Sequence, residues 1–225
     1  MRISHLFILL AASAMLTACD FLDEYNPNSV TVGNYYTSEE DIVASLNGVY
    51  TSLTQSYVAD NYHYFTDVRA NATVVTNSGA NSGIPYQFYN YTLTEENVYV
   101  YNRYSQLYKI ISRANTLFAH LGDVSYATPS ARDTYEAEAR FLRALSYYWL
   151  VTEWGDVPLV LKVLESTEEV RANNYRRPKA EIYQAIFDDL KYVTESPLLD
   201  VQPASACGKV SKAAAWALWG KALLQ

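Results

Sequence analysis

Carboxylates come first among the residues whose types and spacing could do chemistry. A hydrolase acting on sugars needs two of them facing each other across a cleft. Candidates by type are Glu39-Glu40-Asp41, Glu136 with Glu138, Glu168-Glu169 and Asp188-Asp189. Each has a plainer reading. The first group sits where negative charge stabilises a helix N-terminus. Glu136 and Glu138 lie two apart on one helical stretch and point in different directions. The others read as solvated faces. His5, His63 and His120 lie in unrelated segments and form no metal cluster. Nucleophile motifs are absent, and Ser78-Gly79-Ala80-Asn81-Ser82-Gly83 lacks the lysine of a phosphate loop. The sequence therefore points away from catalysis, metals and cofactors.

Binding is better served. The stretch from Tyr57 to Asn97 is rich in Tyr, Asn, Ser, Thr and Gly and has no helical period. A long irregular stretch inside a compact chain is usually functional or disordered. Its aromatic residues, Tyr62, Tyr64, Phe65, Tyr86, Phe88, Tyr89 and Tyr91, argue against disorder. Sugars offer C–H faces for stacking and hydroxyl pairs for planar polar groups. Rings beside Asp67, Arg69 and Asn81 supply both, and Tyr86 and Tyr89 are the expected stacking pair. Asp67 and Arg69 are equally consistent with a local ion pair.

Helices must carry this segment. One starts at Ser38, with Asp41 at capping-box spacing, and has the stripe Ile42, Leu46, Val49, Tyr50, Leu53. A second, from near 98, repeats apolar residues from Tyr104 to Leu121, with Gly122 as its stop. A third has Thr128 as cap, Pro129 at the first helical position and Gly155 at its end. Arg140 and Arg143 lie beside its apolar stripe and read as structural, paired with Glu136, Asp156 or a helix end. A fourth follows Pro178. A fifth starts at Ser211 and is apolar nearly all round, which predicts burial. Some starts are close to the spacing of tetratricopeptide repeats, with an insertion from Asp156 to Arg177. The expected fold class is mainly α: tetratricopeptide-like helical hairpins with a long irregular, aromatic-rich loop region.

Over 225 residues, 50% are apolar, enough for a sizeable core. A net charge of −7 speaks against nucleic acid and anionic membrane surfaces as partners. There are 21 tyrosines, residues that suit surfaces that must bind and stay wet. Met1-Arg2 precedes an uncharged apolar run, Leu6 to Ala12, too short to span a bilayer. Residues 1–18 read as a signal peptide. Leu16-Thr17-Ala18-Cys19 resembles a lipobox, making Cys19 the lipidated N-terminus of a tether over 19–37. Asp20, Asp23 and Glu24 then resemble a surface-export signal. The other cysteine, Cys207, is expected to be buried and unreactive.

Glu138-Ala139-Arg140-Phe141-Leu142-Arg143-Ala144-Leu145, then Tyr148 to Trp154 and Gly155-Asp156-Val157-Pro158-Leu159-Val160, closely resembles the signature of the SusD/RagB family. Gly208 to Ala215, Phe21-Leu22-Asp23 with Pro27, and Leu46-Asn47-Gly48-Val49-Tyr50 resemble further parts of it, as do Tyr108, Ile111 and Asn115. The resemblance implies an outward-facing outer-membrane lipoprotein. Such a protein captures nutrient glycans and delivers them to a TonB-dependent, SusC-like β-barrel transporter. The alternatives are a peptide-capturing receptor of the same family, a non-catalytic scaffold lipoprotein and a glycoside hydrolase. Family members are typically much longer, so 38–225 is expected to be an N-terminal helical domain, apparently truncated.

Overall fold

The structure is a computed structural model that describes residues 35–225. The signal segment 1–18, Cys19 and most of the tether lie outside the described residues. Seven α-helices are described: α1 (Glu39–Leu53), α2 (Tyr86–Tyr89), α3 (Val98–His120), α4 (Ala131–Trp154), α5 (Thr167–Asn173), α6 (Lys179–Glu195) and α7 (Lys212–Leu223). No strand occurs among the described residues, only a single antiparallel bridge between Val157 and Arg177. The fold is mainly α, as the periodicity predicts.

Local chemistry explains most boundaries. Ser38 caps α1 through the expected box: Asp41 N–H donates to its hydroxyl (3.4 Å), and Ser38 N–H donates to the Asp41 carboxylate (2.9 Å). Asn97 caps α3, accepting from Tyr99 N–H at 2.9 Å. Ser211 caps α7. Gly155 ends α4 at φ 74, where a side chain would be strained. Two boundaries differ from expectation. The cap of α4 is Ser130, because Ala131 N–H bonds the Thr128 carbonyl (3.1 Å), so Thr128 and Pro129 form a turn ahead of the helix. At the end of α3, Gly122 keeps a negative φ; Asp123 N–H closes a turn on the His120 carbonyl instead (3.1 Å).

The long helices pack in chain order: α1 on α3, α3 on α4, α4 on α6 and α6 on α7. Their stripes merge into one core that includes Leu46, Leu107, Leu117, Leu142, Leu150, Ile186 and Leu190. Burying each such side chain stabilises the fold by about 1.5–3 kcal/mol. The insertion from Asp156 to Arg177 returns α4 to α6 and contains α5.

Three further expectations are corrected. Helix α7 is not fully buried. It packs one face, Ala215, Leu218 and Ala222, while Trp216 stays 59% exposed. Apolarity on every side does not bury a helix that has a neighbour on one side only. Asp189 is no solvated face but 2% exposed, because α6 turns it onto α4. There it accepts from Arg140 (2.8 Å) and from Nε and Nη2 of Arg143 (2.8 and 2.7 Å), while Nη1 of Arg143 donates to the Asn115 side-chain oxygen (2.7 Å). The structural role expected of the two arginines, with Glu136 as one partner of Arg140 (2.6 Å), is what the structure has. Cys207 is exposed rather than buried, since it follows the surface turn Ala204–Ala206.

Candidate functional site

The segment between α1 and α3 is not structureless. It contains a π-helical turn (Tyr64–Val68), a tight turn (Ala80–Gly83) and α2. Short π segments are rare and concentrate at functional sites. These pieces build a small second core of Phe65, Val68, Phe88 and Tyr99. The Phe65 and Phe88 rings meet edge-on at 4.9 Å, and Tyr57 and Tyr99 do so at 5.1 Å. Tyr99 belongs to α3, so the loop is built onto the scaffold rather than beside it. Asn97, which caps α3, also donates to the Ile84 carbonyl (3.1 Å) and to the Gln87 side chain (2.9 Å).

A buried guanidinium ties the loop to α4. Arg103 is 0% exposed. It holds Glu153 with two bonds of 2.6 Å and donates to the carbonyls of Tyr57 (3.0 Å) and Val58 (3.4 Å). The rings of Tyr62, Phe65 and Trp149 surround it at 4.9, 4.9 and 5.5 Å. Burial pushes the Glu153 carboxyl above the usual carboxylate range, while Arg103 and then Arg69 pull it back.

The five expected ligand residues sit around the second core in different settings. Asp67 lies on the π-helical turn with an exposed side chain, and Arg69 follows it, also exposed. No ion pair joins them, so of the two readings of this pair the local ion pair does not form. Asn81 donates to the Tyr99 hydroxyl (3.0 Å). Tyr86 and Tyr89 pair on α2 with centroids 5.6 Å apart, both half-buried. Tyr91 is held at φ 58, and its hydroxyl donates to the Arg69 carbonyl (3.1 Å). That φ is costly for a bulky residue and needs support from its surroundings.

Beside this core opens a cleft of about 330 Å³ between Phe65, Arg69, Leu93, Val100, Glu153 and Trp154. Of the five expected residues only Arg69 reaches it. The sequence reading missed Arg103, Glu153 and Trp154. Arg103 had a signal: it falls four residues before Leu107 on the apolar stripe of α3, where a charge needs a buried partner. Glu153 and Trp154 close α4 within the stretch Tyr148 to Trp154, but nothing local says that they face a hollow.

Comparison with known proteins sets this geometry in a family. A SusD-like family described as starch-binding and associating with the outer membrane matches residues 20–224. The chain belongs to the SusD-like family. SusD-like protein P2 of Formosa agariphila is 27% identical over 216 residues, 96% of this chain and 41% of that protein. A SusD-like protein of Bacteroides ovatus is 25% identical over 86% of this chain and 35% of its own length. The SusD-like chain thus spans less than half the length of the curated relatives it matches. Among solved structures, a laminarin-binding SusD-like protein aligns with TM-score 0.71 at 29% identity, covering 84% of this chain and 40% of that one. Surface glycan-binding protein A from Bacteroides thetaiotaomicron, in complex with laminarihexaose, aligns with TM-score 0.69 at 20% identity, over 83% and 39%. The second likeness is one of fold.

Proposed function

We propose that this SusD-like chain belongs to an outward-facing outer-membrane lipoprotein, anchored through Cys19, that captures nutrient glycans and delivers them to a TonB-dependent, SusC-like β-barrel transporter. Binding takes place on the aromatic loop, with Tyr86 and Tyr89 stacking on sugar rings and Asp67, Arg69 and Asn81 bonding hydroxyls. The observation that carries the reading is the half-buried Tyr86–Tyr89 pair on a loop with its own core, in a chain matched over 20–224 by a family described as starch-binding. A loop on a rigid scaffold can present rings and polar groups together without disturbing helix packing.

Two experiments test it. Replacing Tyr86 and Tyr89 together by Ala removes two stacking contacts of roughly 0.5–1.5 kcal/mol each. Affinity for the glycan bound tightest should fall about tenfold, since 1.4 kcal/mol is a factor of ten. Unchanged affinity with intact helical circular dichroism places the ligand elsewhere. For the anchor, Cys19→Ala should move the protein from the detergent phase to the aqueous phase; retention in the detergent phase refutes lipidation at Cys19.

A further inference from the structure

The cleft beside the loop continues past Trp154. A second hollow of about 170 Å³ lies against the first and shares Glu95, Val100 and Trp154 with it as a common wall. Its far side is formed by Tyr101 and Tyr104 of α3 and by Asp156 and Arg176 of the insertion. The walls thus come from the loop, α3, the end of α4 and the insertion, so the shape is a product of tertiary packing. The larger hollow alone falls within the roughly 300–1,000 Å³ of small-molecule sites.

Its chemistry is that of a sugar site. Trp154 is half-buried and locked: Tyr104 meets its ring edge-on at 5.3 Å, and Phe65 packs on it at 6.3 Å. Its position is fixed before any ligand arrives, which lowers the entropy cost of binding. Tyr101 is 68% exposed, a ring placed in water at the mouth of the second hollow. Around these rings the charges balance. Arg103 neutralises Glu153. Arg69 lines the first hollow, Arg176 and Asp156 the second, and Glu95 both; none of the four forms an ion pair among the described residues, and Asp156 accepts only the Lys179 backbone N–H (2.9 Å) among the hydrogen bonds described. Planar guanidinium and carboxylate groups can each bond a pair of sugar hydroxyls. An anionic sugar would meet the carboxylates without a net positive field to offset them.

We infer that the hollow on both sides of Trp154 is a subsite for an uncharged sugar chain, separate from the Tyr86–Tyr89 pair, and that its charge balance selects neutral glycans over uronates. The inference rests on the glycan reading above. It is tested on the full chain by titration calorimetry with laminarihexaose, cellohexaose, maltohexaose and a hexagalacturonate. Tyr101→Ala with Arg176→Ala touches only exposed side chains and should leave the melting temperature unchanged. It should weaken the tightest neutral hexasaccharide at least fivefold, and Glu95→Lys should narrow the preference over hexagalacturonate. If the first variant binds as the parent does while Tyr86→Ala with Tyr89→Ala weakens binding, the subsite is overturned and the glycan reading stands. If the parent binds hexagalacturonate as tightly as any neutral chain, the selectivity is overturned. If it binds no neutral chain, both readings fall.

Discussion

Replacing Arg103 by Met keeps a long flexible side chain and removes the charge. Glu153 then loses both of its 2.6 Å bonds, and the carbonyls of Tyr57 and Val58 lose their donor. Removing one member of a buried ion pair costs roughly 3–5 kcal/mol, because the other charge is left uncompensated. Orphaned carbonyls add about 1–3 kcal/mol each where water cannot reach them. Three ring contacts to the guanidinium also go. The expected loss at pH 7 is therefore at least about 3 kcal/mol, a large part of the 5–15 kcal/mol typical of a folded domain.

The loss should depend on pH with a definite sign. Burial already holds the Glu153 carboxyl above its ordinary value of 4.5, and Arg103 counteracts this. Without Arg103 the folded pKa rises further. Between the unfolded and folded values the folded state binds more protons, so stability falls as pH rises through that window and stays low above it. Urea unfolding of the parent and Arg103→Met from pH 7 down to pH 5 should show the gap between them narrowing. Arg103→Met with Glu153→Met should recover much of the loss, since no lone charge stays buried. A single-variant loss below about 1 kcal/mol at pH 7, or a gap independent of pH, refutes the reasoning.

Other outcomes follow from the same geometry. Asp189→Asn leaves Arg140 and Arg143 facing a neutral partner between α4 and α6, and should cost roughly 3–5 kcal/mol in urea unfolding. Ser38→Ala removes the cap of α1 and should cost about 1 kcal/mol by the same measurement. Native protein should label at Cys207 with a maleimide in the absence of denaturant, because the residue is exposed; labelling only after unfolding contradicts the structure.

The helical scaffold was legible because its signals are local. The stripe from Ile42 to Leu53, the box at Ser38, the stop at Gly155 and the caps at Pro178 and Ser211 each depend on residues within a few positions of one another. Two helix ends were displaced by local turns, at Thr128 and at Gly122, and the larger errors arose where a distant neighbour decides. Asp189 next to Asp188 reads as solvated, and only the arrival of two arginines from α4 makes it a buried partner. Trp216 reads as core, and only the one-sided packing of α7 leaves it in water. For the loop, composition announced rings and polar groups, but periodicity could not reveal the order they create. The π-helical turn and α2 are held by Phe65 against Phe88 and by Tyr64 against Tyr99, contacts between residues more than 20 positions apart.

The value of the loop for the proposed binding lies in how it is held. A segment of this length ordered only by its ligand would spend much of the interaction energy on its own entropy. Here the ordering comes from the fold. Asn97 caps α3 and, with its other end, fixes Ile84 and Gln87. Arg103 binds the start of the loop to the end of α4. Tyr91 is held in left-handed backbone with its hydroxyl bonded to the Arg69 carbonyl, so the strand of chain carrying Arg69 is fixed from the far side of the loop. Three polar side chains, each with a partner distant in sequence, thus transmit the rigidity of a helical core to a surface that has few helical residues. The two buried ones, Asn97 and Arg103, add little net stability over an apolar replacement of similar shape. They specify one arrangement among many, and one arrangement is what the rings need if they are to meet a sugar chain as proposed.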